Sequence, residues 1–122
     1  MRPNDDDAHW QQVRGDVRAL LWRVAGSNGT RTYTELAEEL GEFGPRSPRL
    51  HRLLDEICEE TNLAYGLLLT AVVVKAGRYS IPGNGFFATA ERLGRHVGNR
   101  RAFWTCELQR VRDHARSHPA PD

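Results

Sequence analysis

The 122-residue sequence predicts a mainly α-helical protein with one small β-hairpin, an α+β arrangement. Two observations predict this class. Five segments carry apolar residues at helical spacing between capping residues and glycines, and one continuous apolar run, residues 67–74, is β-branched toward its end. A chain of this length forms one domain. We therefore expect a disordered N-terminus at 1–6, a single domain at 7–116 and a flexible tail at 117–122.

Signals at helix starts support the first three helices. Asp7 is the expected N-cap of the first helix, which then carries a long apolar stripe. Thr32 and Glu35 have the spacing of a capping box before the second helix. Ser47 and Pro48 supply an N-cap and a first-turn proline for the third helix. The five predicted helices cover, in chain order, residues 8–25, 33–40, 48–61, 86–93 and 100–116.

The hairpin is predicted from the change of pattern after the third helix. The apolar run 67–74 favours a buried strand, 75–78 a turn, and 79–81 a second short strand. Three helices followed by a hairpin is the order of elements in a winged helix, in which the second and third helices form a helix-turn-helix and the hairpin turn is the wing. Two further helices then follow at the C-terminal end. Only residues 31–33 could supply the strand that often precedes the second helix.

Composition excludes several classes of protein. The longest apolar stretch, 67–74, is far shorter than the roughly 20 residues that a transmembrane helix needs, so we expect no membrane association. The N-terminal residues lack the apolar core of a secretory signal, which favours a cytoplasmic location. Cys58 and Cys106 are the only cysteines, so neither a disulfide framework nor a four-cysteine zinc site can form. Both are expected to be buried spacers.

Charge is balanced overall but divided unevenly along the chain. Residues 1–62 hold 8 basic and 12 acidic residues, whereas residues 63–122 hold 9 and 4, and Lys75 is the only lysine. Arginine suits phosphate and base edges, although a GC-rich genome would also favour it. The basic C-terminal half is expected either to bind phosphate without sequence preference, or to pair with the acidic half within the domain, across a homodimer or with a protein partner.

One segment resembles a known family. Residues 31–41, RTYTELAEELG, are similar to the TYGELA…LG segment of the O6-alkylguanine alkyltransferases and alkyltransferase-like proteins, and a looser resemblance extends to residue 94. The active enzymes of that family need a Pro-Cys-His-Arg motif, where this sequence has Thr70-Ala71-Val72-Val73. The resemblance therefore implies a nucleic-acid-binding winged helix without alkyltransferase activity.

A winged helix makes the third helix the recognition element. Basic residues near its start are expected to reach base edges, two hydroxyls to donate to phosphates, and the turn at 75–78 to touch the adjacent groove or backbone. Several carboxylates on the later turns of the same helix, Asp55 and Glu56 among them, oppose this because phosphate repels them. The residues predicted to contact double-stranded DNA are Thr34, Arg46, Ser47, Arg49, His51, Arg52, Lys75 and Arg78.

Two alternatives to a non-catalytic, regulatory DNA-binding protein remain open. The same fold could serve as a protein-interaction or assembly module without nucleic-acid binding. A small nuclease or toxin-like enzyme could instead use His51 with nearby arginine and glutamate side chains. Steep salt dependence of duplex binding distinguishes a DNA-binding protein from the interaction module.

No catalytic residue, metal or cofactor is predicted. Of the five histidines, only His114 and His118 have a metal-compatible spacing, and no third ligand accompanies them. Residues 82–87 open a helix after a glycine-rich turn, which could form an anion-binding nest, but they lack both the phosphate-loop and the dinucleotide-binding patterns. A tight turn is the simpler interpretation of this segment.

Overall fold

Five α-helices and a two-stranded parallel sheet make up the protein, so the prediction of a mainly helical fold is confirmed. The computed structural model describes the backbone of residues 3–78 and 80–118, with side chains from residue 7 onward. In chain order the elements are α1 (Pro3–Gly26), β1 (Arg31–Thr32), α2 (Tyr33–Leu40), α3 (Pro48–Tyr65), a 3-10 helix (Leu69–Val72), β2 (Val73–Val74), α4 (Asn84–Arg92) and α5 (Arg100–Ser117).

The predicted capping residues mark the starts of α2 and α3 but not the start of α1. The Thr32 hydroxyl accepts the Glu35 amide, the Glu35 carboxylate accepts the Thr32 amide, and α2 has its predicted bounds. Ser47 caps α3, which begins at Pro48 as predicted but continues to Tyr65, where Gly66 ends it in a left-handed conformation. Helix α1 begins at Pro3, so Asp7 lies inside it and is not its N-cap. Proline in the first turn and the acidic residues that follow both favour this earlier start.

The predicted hairpin is wrong for the residues that the structure describes. Half of the first expected strand is the 3-10 helix, and β2 pairs in parallel with β1, with Arg31 opposite Val73 and Thr32 opposite Val74. One hydrogen bond, from the Lys75 amide to the Ile81 carbonyl at 2.9 Å, closes the loop between these residues. Tyr79, in the expected second strand, lies outside the described residues. A continuous apolar run signals burial rather than a strand, which explains the error.

The core lies where α1, α3 and α5 surround the 3-10 helix. All eight residues of the run 67–74 are buried, and they contact apolar residues from each of the three helices. Within the described residues, no helix combines the length and the apolar character needed to cross a membrane. The largest fully buried side chains are Phe87, Leu21, Leu36, Leu50, Leu53, Ile57, Leu68, Leu69, Val17, Val72, Val73 and Val74.

A buried carboxylate on α5 fixes the start of this apolar segment. Glu107 is only 2% exposed, and its Oε2 accepts the Leu68 amide at 2.8 Å. Its Oε1 accepts Nη1 of Arg95 at 2.9 Å and Nη1 of Arg110 at 2.8 Å. Arg95 also donates to the carbonyl of Gly66, the residue that ends α3. One side chain therefore links α5, the end of α3 and the entry to the 3-10 helix.

Two further hydrogen bonds hold the 3-10 helix in place. The Thr61 hydroxyl of α3 accepts the Leu69 amide at 3.2 Å, and the indole Nε1 of Trp104 on α5 donates to the Ala71 carbonyl at 2.8 Å. Both satisfy backbone groups that a short 3-10 helix leaves unpaired. The 3-10 helix is thereby hydrogen bonded to both α3 and α5, and these bonds fix the direction in which the chain continues toward Lys75.

Substituting Glu107 tests this arrangement. Glu107→Ala leaves the Arg95 guanidinium without its buried partner and the Leu68 amide without an acceptor, so we expect a loss of about 3–5 kcal/mol in the free energy of unfolding. Urea denaturation followed by tryptophan fluorescence measures it. Glu91→Ala, which removes an exposed glutamate from α4, is the matched control. A loss for Glu107→Ala no larger than that of the control would contradict the proposed role of Glu107.

Candidate functional site

A cavity of about 610 Å³ lies at the N-terminal end of α3. Four segments that are distant in sequence form its walls: the start of α2, the loop and first turn of α3, the residues after β2, and the start of α4. The lining residues are Tyr33, Thr34, Pro45, Arg46, His51, Lys75, Ala76, Gly83, Asn84 and Gly85.

Three helix N-termini converge on this cavity. Thr34 lies in the first turn of α2, Arg46 directly precedes the N-cap of α3, and Asn84 begins α4. Side chains cap α2 and α3, whereas α4 has no side-chain cap. Because a helix N-terminus carries partial positive charge and unpaired amides, the cavity wall favours anions.

Tyr33 joins the start of α2 to the start of α4. Its hydroxyl accepts the Gly83 amide at 2.9 Å, and its ring centroid lies 5.4 Å from that of His51. Burial raises the pKa of the Tyr33 phenol; the Gly83 hydrogen bond opposes this rise and the charge of Asp55 adds to it. The phenol is therefore neutral at physiological pH, and it holds the glycine-rich turn against the cavity.

The cations at this site are not neutralised by the protein. Within the described part of the chain, Arg46, Lys75 and Arg78 form no ion pair, and no carboxylate lines the cavity. At its rim, Arg100 donates from Nη1 to Oδ1 of Asn84 at 2.7 Å and lies over the ring of Phe87. The cavity therefore carries net positive charge.

Of the eight predicted contact residues, Thr34, Arg46, His51 and Lys75 line the cavity. The other four have different environments. The Ser47 hydroxyl accepts the Arg49 amide as the N-cap of α3. The exposed Arg78 does not line the cavity.

Arg49 and Arg52 lie on a different face of α3, directed toward α1. The Arg49 guanidinium is 5.4 Å from the ring centroids of both Trp10 and Phe43, and that of Arg52 is 5.2 Å from Trp10. Arg52 also pairs with Glu56 at 3.0 Å, four residues later. These arginines remain exposed, but they are engaged with aromatic rings of their own protein.

A smaller cavity of about 150 Å³ adjoins the first and shares Tyr33, His51 and Gly85 with it. Asp55 lines this inner cavity, and it accepts the Thr89 hydroxyl at 3.1 Å. Burial raises the pKa of the Asp55 carboxyl, although the Thr89 hydrogen bond and the charge of Arg92 oppose the rise. The inner end of the site therefore carries a hydrogen-bond acceptor, in contrast to the basic outer end.

Sequence reasoning missed several lining residues. No role in the site is predicted for Tyr33, and the segment that contains Asn84 and Gly85 is predicted as a tight turn. The signal for the latter was present, because a glycine-rich turn that opens a helix can form an anion-binding nest. No comparable signal marks Tyr33, whose partner, Gly83, lies 50 residues away.

The basic C-terminal half is largely engaged in contacts within the chain. Arg92 pairs with Glu59 of the acidic half at 2.6 Å, whereas Arg95 and Arg110 both pair with Glu107 in their own half. Arg112 donates to the Gly29 carbonyl at 3.0 Å. These contacts bind the helices together.

The histidines and cysteines of the described residues are not arranged as a metal site. Among the residues described, no group of three His, Cys, Asp or Glu is arranged to hold a metal ion. His114 and His118 stack on each other with ring centroids 4.2 Å apart. Burial raises the pKa of the Cys58 thiol to about 11, which keeps it protonated. Cys106 is exposed, so its prediction as a buried spacer is wrong: it faces outward on α5.

The geometry defines a concave, basic site suited to an anionic ligand that also carries a hydrogen-bond donor. The basic side chains and helix N-termini lie at the outer end, and Asp55 lies at the inner end. Comparison of the chain with protein-family models, curated proteins and solved structures found no match.

The pKa of Asp55 generates a testable pH dependence. A raised folded-state pKa means that ionisation of Asp55 is less favourable in the folded than in the unfolded protein, so its contribution to stability falls as pH rises through the ordinary pKa of an aspartate. Asp55→Asn keeps an acceptor for Thr89 and removes the charge. We expect a higher urea midpoint than wild type at pH 7 and no gain at pH 3, with Asp16→Asn as a surface control. A lower midpoint at pH 7 would show that the charge stabilises the fold.

Proposed function

We propose that this protein is a non-catalytic, winged-helix type DNA-binding protein with a regulatory role, which contacts double-stranded DNA through the N-terminal end of α3 and the segment 75–78. The order of elements supports this assignment, because β1 precedes α2, α3 follows α2 after a short loop, and a short strand with an exposed loop comes later in the chain. The parallel β1–β2 pairing replaces the expected hairpin.

The observation that carries the proposal is the convergence of Thr34, Arg46, His51 and Lys75 on one cavity. They come from three segments of the chain, and the two permanent cations among them have no ion-pair partner within the described residues. Unpaired cations beside helix N-termini supply the attraction to phosphate on which DNA affinity largely depends. Thr34 and His51 add hydrogen-bonding groups.

Three carboxylates of α2 and α3 are paired on surfaces away from this face. Glu56 and Glu60 are directed toward α1, where Arg14 and Arg18 neutralise them at 2.7–3.0 Å. Glu39 pairs with Arg31 at 2.8 Å. These three like charges are therefore compensated within the protein, on surfaces away from the cavity, whereas Asp55 of α3 lines the adjoining cavity.

Arg49, Arg52 and Arg78 extend the basic surface on either side. Arg49 and Arg52 are exposed, and each guanidinium lies over the ring of Trp10. Arg78 lies in the exposed loop after Lys75. We assign these three to the flanks of the DNA contact and the cavity residues to its centre.

A second candidate function is supported by an exposed apolar pair at the other end of α3. Leu63 is 90% exposed and Tyr65 is 55% exposed, and Tyr65 makes an edge contact with Trp22 at 5.8 Å. Contiguous exposed apolar side chains mark protein-contact surfaces, and these two lie two residues apart at one end of α3. This surface would serve the protein-interaction module, which predicts no binding of DNA.

Fluorescence anisotropy with a labelled duplex tests the proposal. We expect affinity to fall steeply between about 50 and 200 mM salt, because phosphate contacts release counterions. The double variant Arg46→Ala/Lys75→Ala should weaken binding by about tenfold or more at low salt and reduce the slope of log K against log salt by about 2.

Arg23→Ala is the matched control, because Arg23 is exposed on α1, lies outside the cavity and forms no ion pair within the described part of the chain. Its binding should equal that of wild type. Absence of duplex binding at 50 mM salt, or an equal loss for the control, would contradict the DNA-binding proposal and favour the interaction module.

A further inference from the structure

The cavity is larger and more recessed than contact with a duplex backbone requires. Its volume of about 610 Å³ lies in the range of pockets that enclose small ligands. The phosphodiester of an intact duplex is flanked by nucleotides on both sides, so it contacts the mouth of the cavity and leaves the rest of its volume unfilled. Tyr33 and Gly83 are hydrogen bonded to each other in the cavity wall.

The positive charge of the recess also exceeds what one diester needs. Arg46 and Lys75 face it as permanent cations, and the amides of Asn84 and Gly85, at the uncapped start of α4, have no acceptor within the helix. A phosphomonoester carries a charge of about −1.5 to −2 at pH 7 and three acceptor oxygens, whereas a diester carries a single charge. The monoester matches this set of donors and cations better.

The inner end of the site determines the orientation of such a ligand. The Asp55 carboxylate lines the adjoining cavity and repels a phosphate, while it can accept a hydrogen bond from a ligand N–H or O–H group. The rings of Tyr33 and His51 lie between the two ends and offer surfaces for an apolar or planar group. A phosphate at the outer end therefore leaves room for the attached nucleoside toward Asp55.

From these three features we infer that the cavity binds a terminal phosphomonoester attached to a nucleoside, so that the protein is selective for phosphorylated DNA ends. This inference rests on the proposed function and specifies the form of DNA that the site takes. The shared chemistry is that of a nucleoside monophosphate, present at a 5′ end, at a 3′ end or as the free nucleotide. Arg46, Lys75 and the start of α4 would hold the phosphate, and Asp55 would accept a hydrogen bond from the nucleoside.

Anisotropy with four versions of one labelled duplex tests the inference. The duplexes carry 5′-phosphate, 3′-phosphate or hydroxyl ends, or are closed by hairpin loops at both ends. We expect a phosphorylated end to bind about tenfold more tightly than a hydroxyl end, the factor that one charge-assisted hydrogen bond contributes. The 5′ and 3′ arms identify which end fits. A nucleoside monophosphate should compete at lower concentration than inorganic phosphate.

Two variants test whether the preference for phosphorylated ends depends on the cavity. Lys75→Ala should remove most of the preference for phosphorylated ends, whereas Arg23→Ala should keep it. Equal affinity for phosphorylated, hydroxyl and closed duplexes would overturn the inference and leave DNA binding intact. Failure of all four duplexes to bind would instead contradict the proposed function, and the inference would fall with it.

Discussion

The buried carboxylate of Glu107 is the constraint on which the candidate site depends. It accepts hydrogen bonds from the Leu68 amide and from Arg95, so that α5, the end of α3 and the entry to the 3-10 helix share one anchor. Burying a charge is costly unless it is paired and hydrogen bonded, and both oxygens of Glu107 are satisfied. The anchored segment then passes through β2 and delivers Lys75 to the cavity, opposite Arg46.

Many arginines pair with carboxylates inside the fold, whereas, among the described residues, the two permanent cations that line the cavity do not. Those on α1 neutralise the glutamates of α3, and those on α5 and before it surround Glu107. Arg46 and Lys75 have no such partner within the described residues, although each lies beside helix N-termini that add to their positive potential. Because neither of these two charges is paired with a carboxylate among the described residues, both are available to a ligand. Their position in the cavity limits the shape of that ligand.

Local rules predicted much of the fold, but contacts between distant segments decided the site. Thr32 with Glu35 and Ser47 with Pro48 marked the starts of α2 and α3 because capping chemistry acts within a few residues. The run 67–74 was taken for a strand because complete burial produces the same apolar pattern in a 3-10 helix. Likewise, Arg46 and Arg49 are close in sequence and are predicted to share one DNA-binding surface. In the structure the Arg49 guanidinium instead lies over the ring of Trp10 on α1, a contact that local sequence does not reveal.

Mapping the bound surface by NMR tests the central claim most directly. Amide chemical shifts recorded while a short duplex is added report which residues meet the DNA. The cavity predicts the largest changes at Thr34, Lys75 and Gly85, with little change at the opposite end of α3. Largest changes at Leu63 and Tyr65, with the cavity amides unmoved, would contradict the assignment of the cavity as the nucleic-acid site.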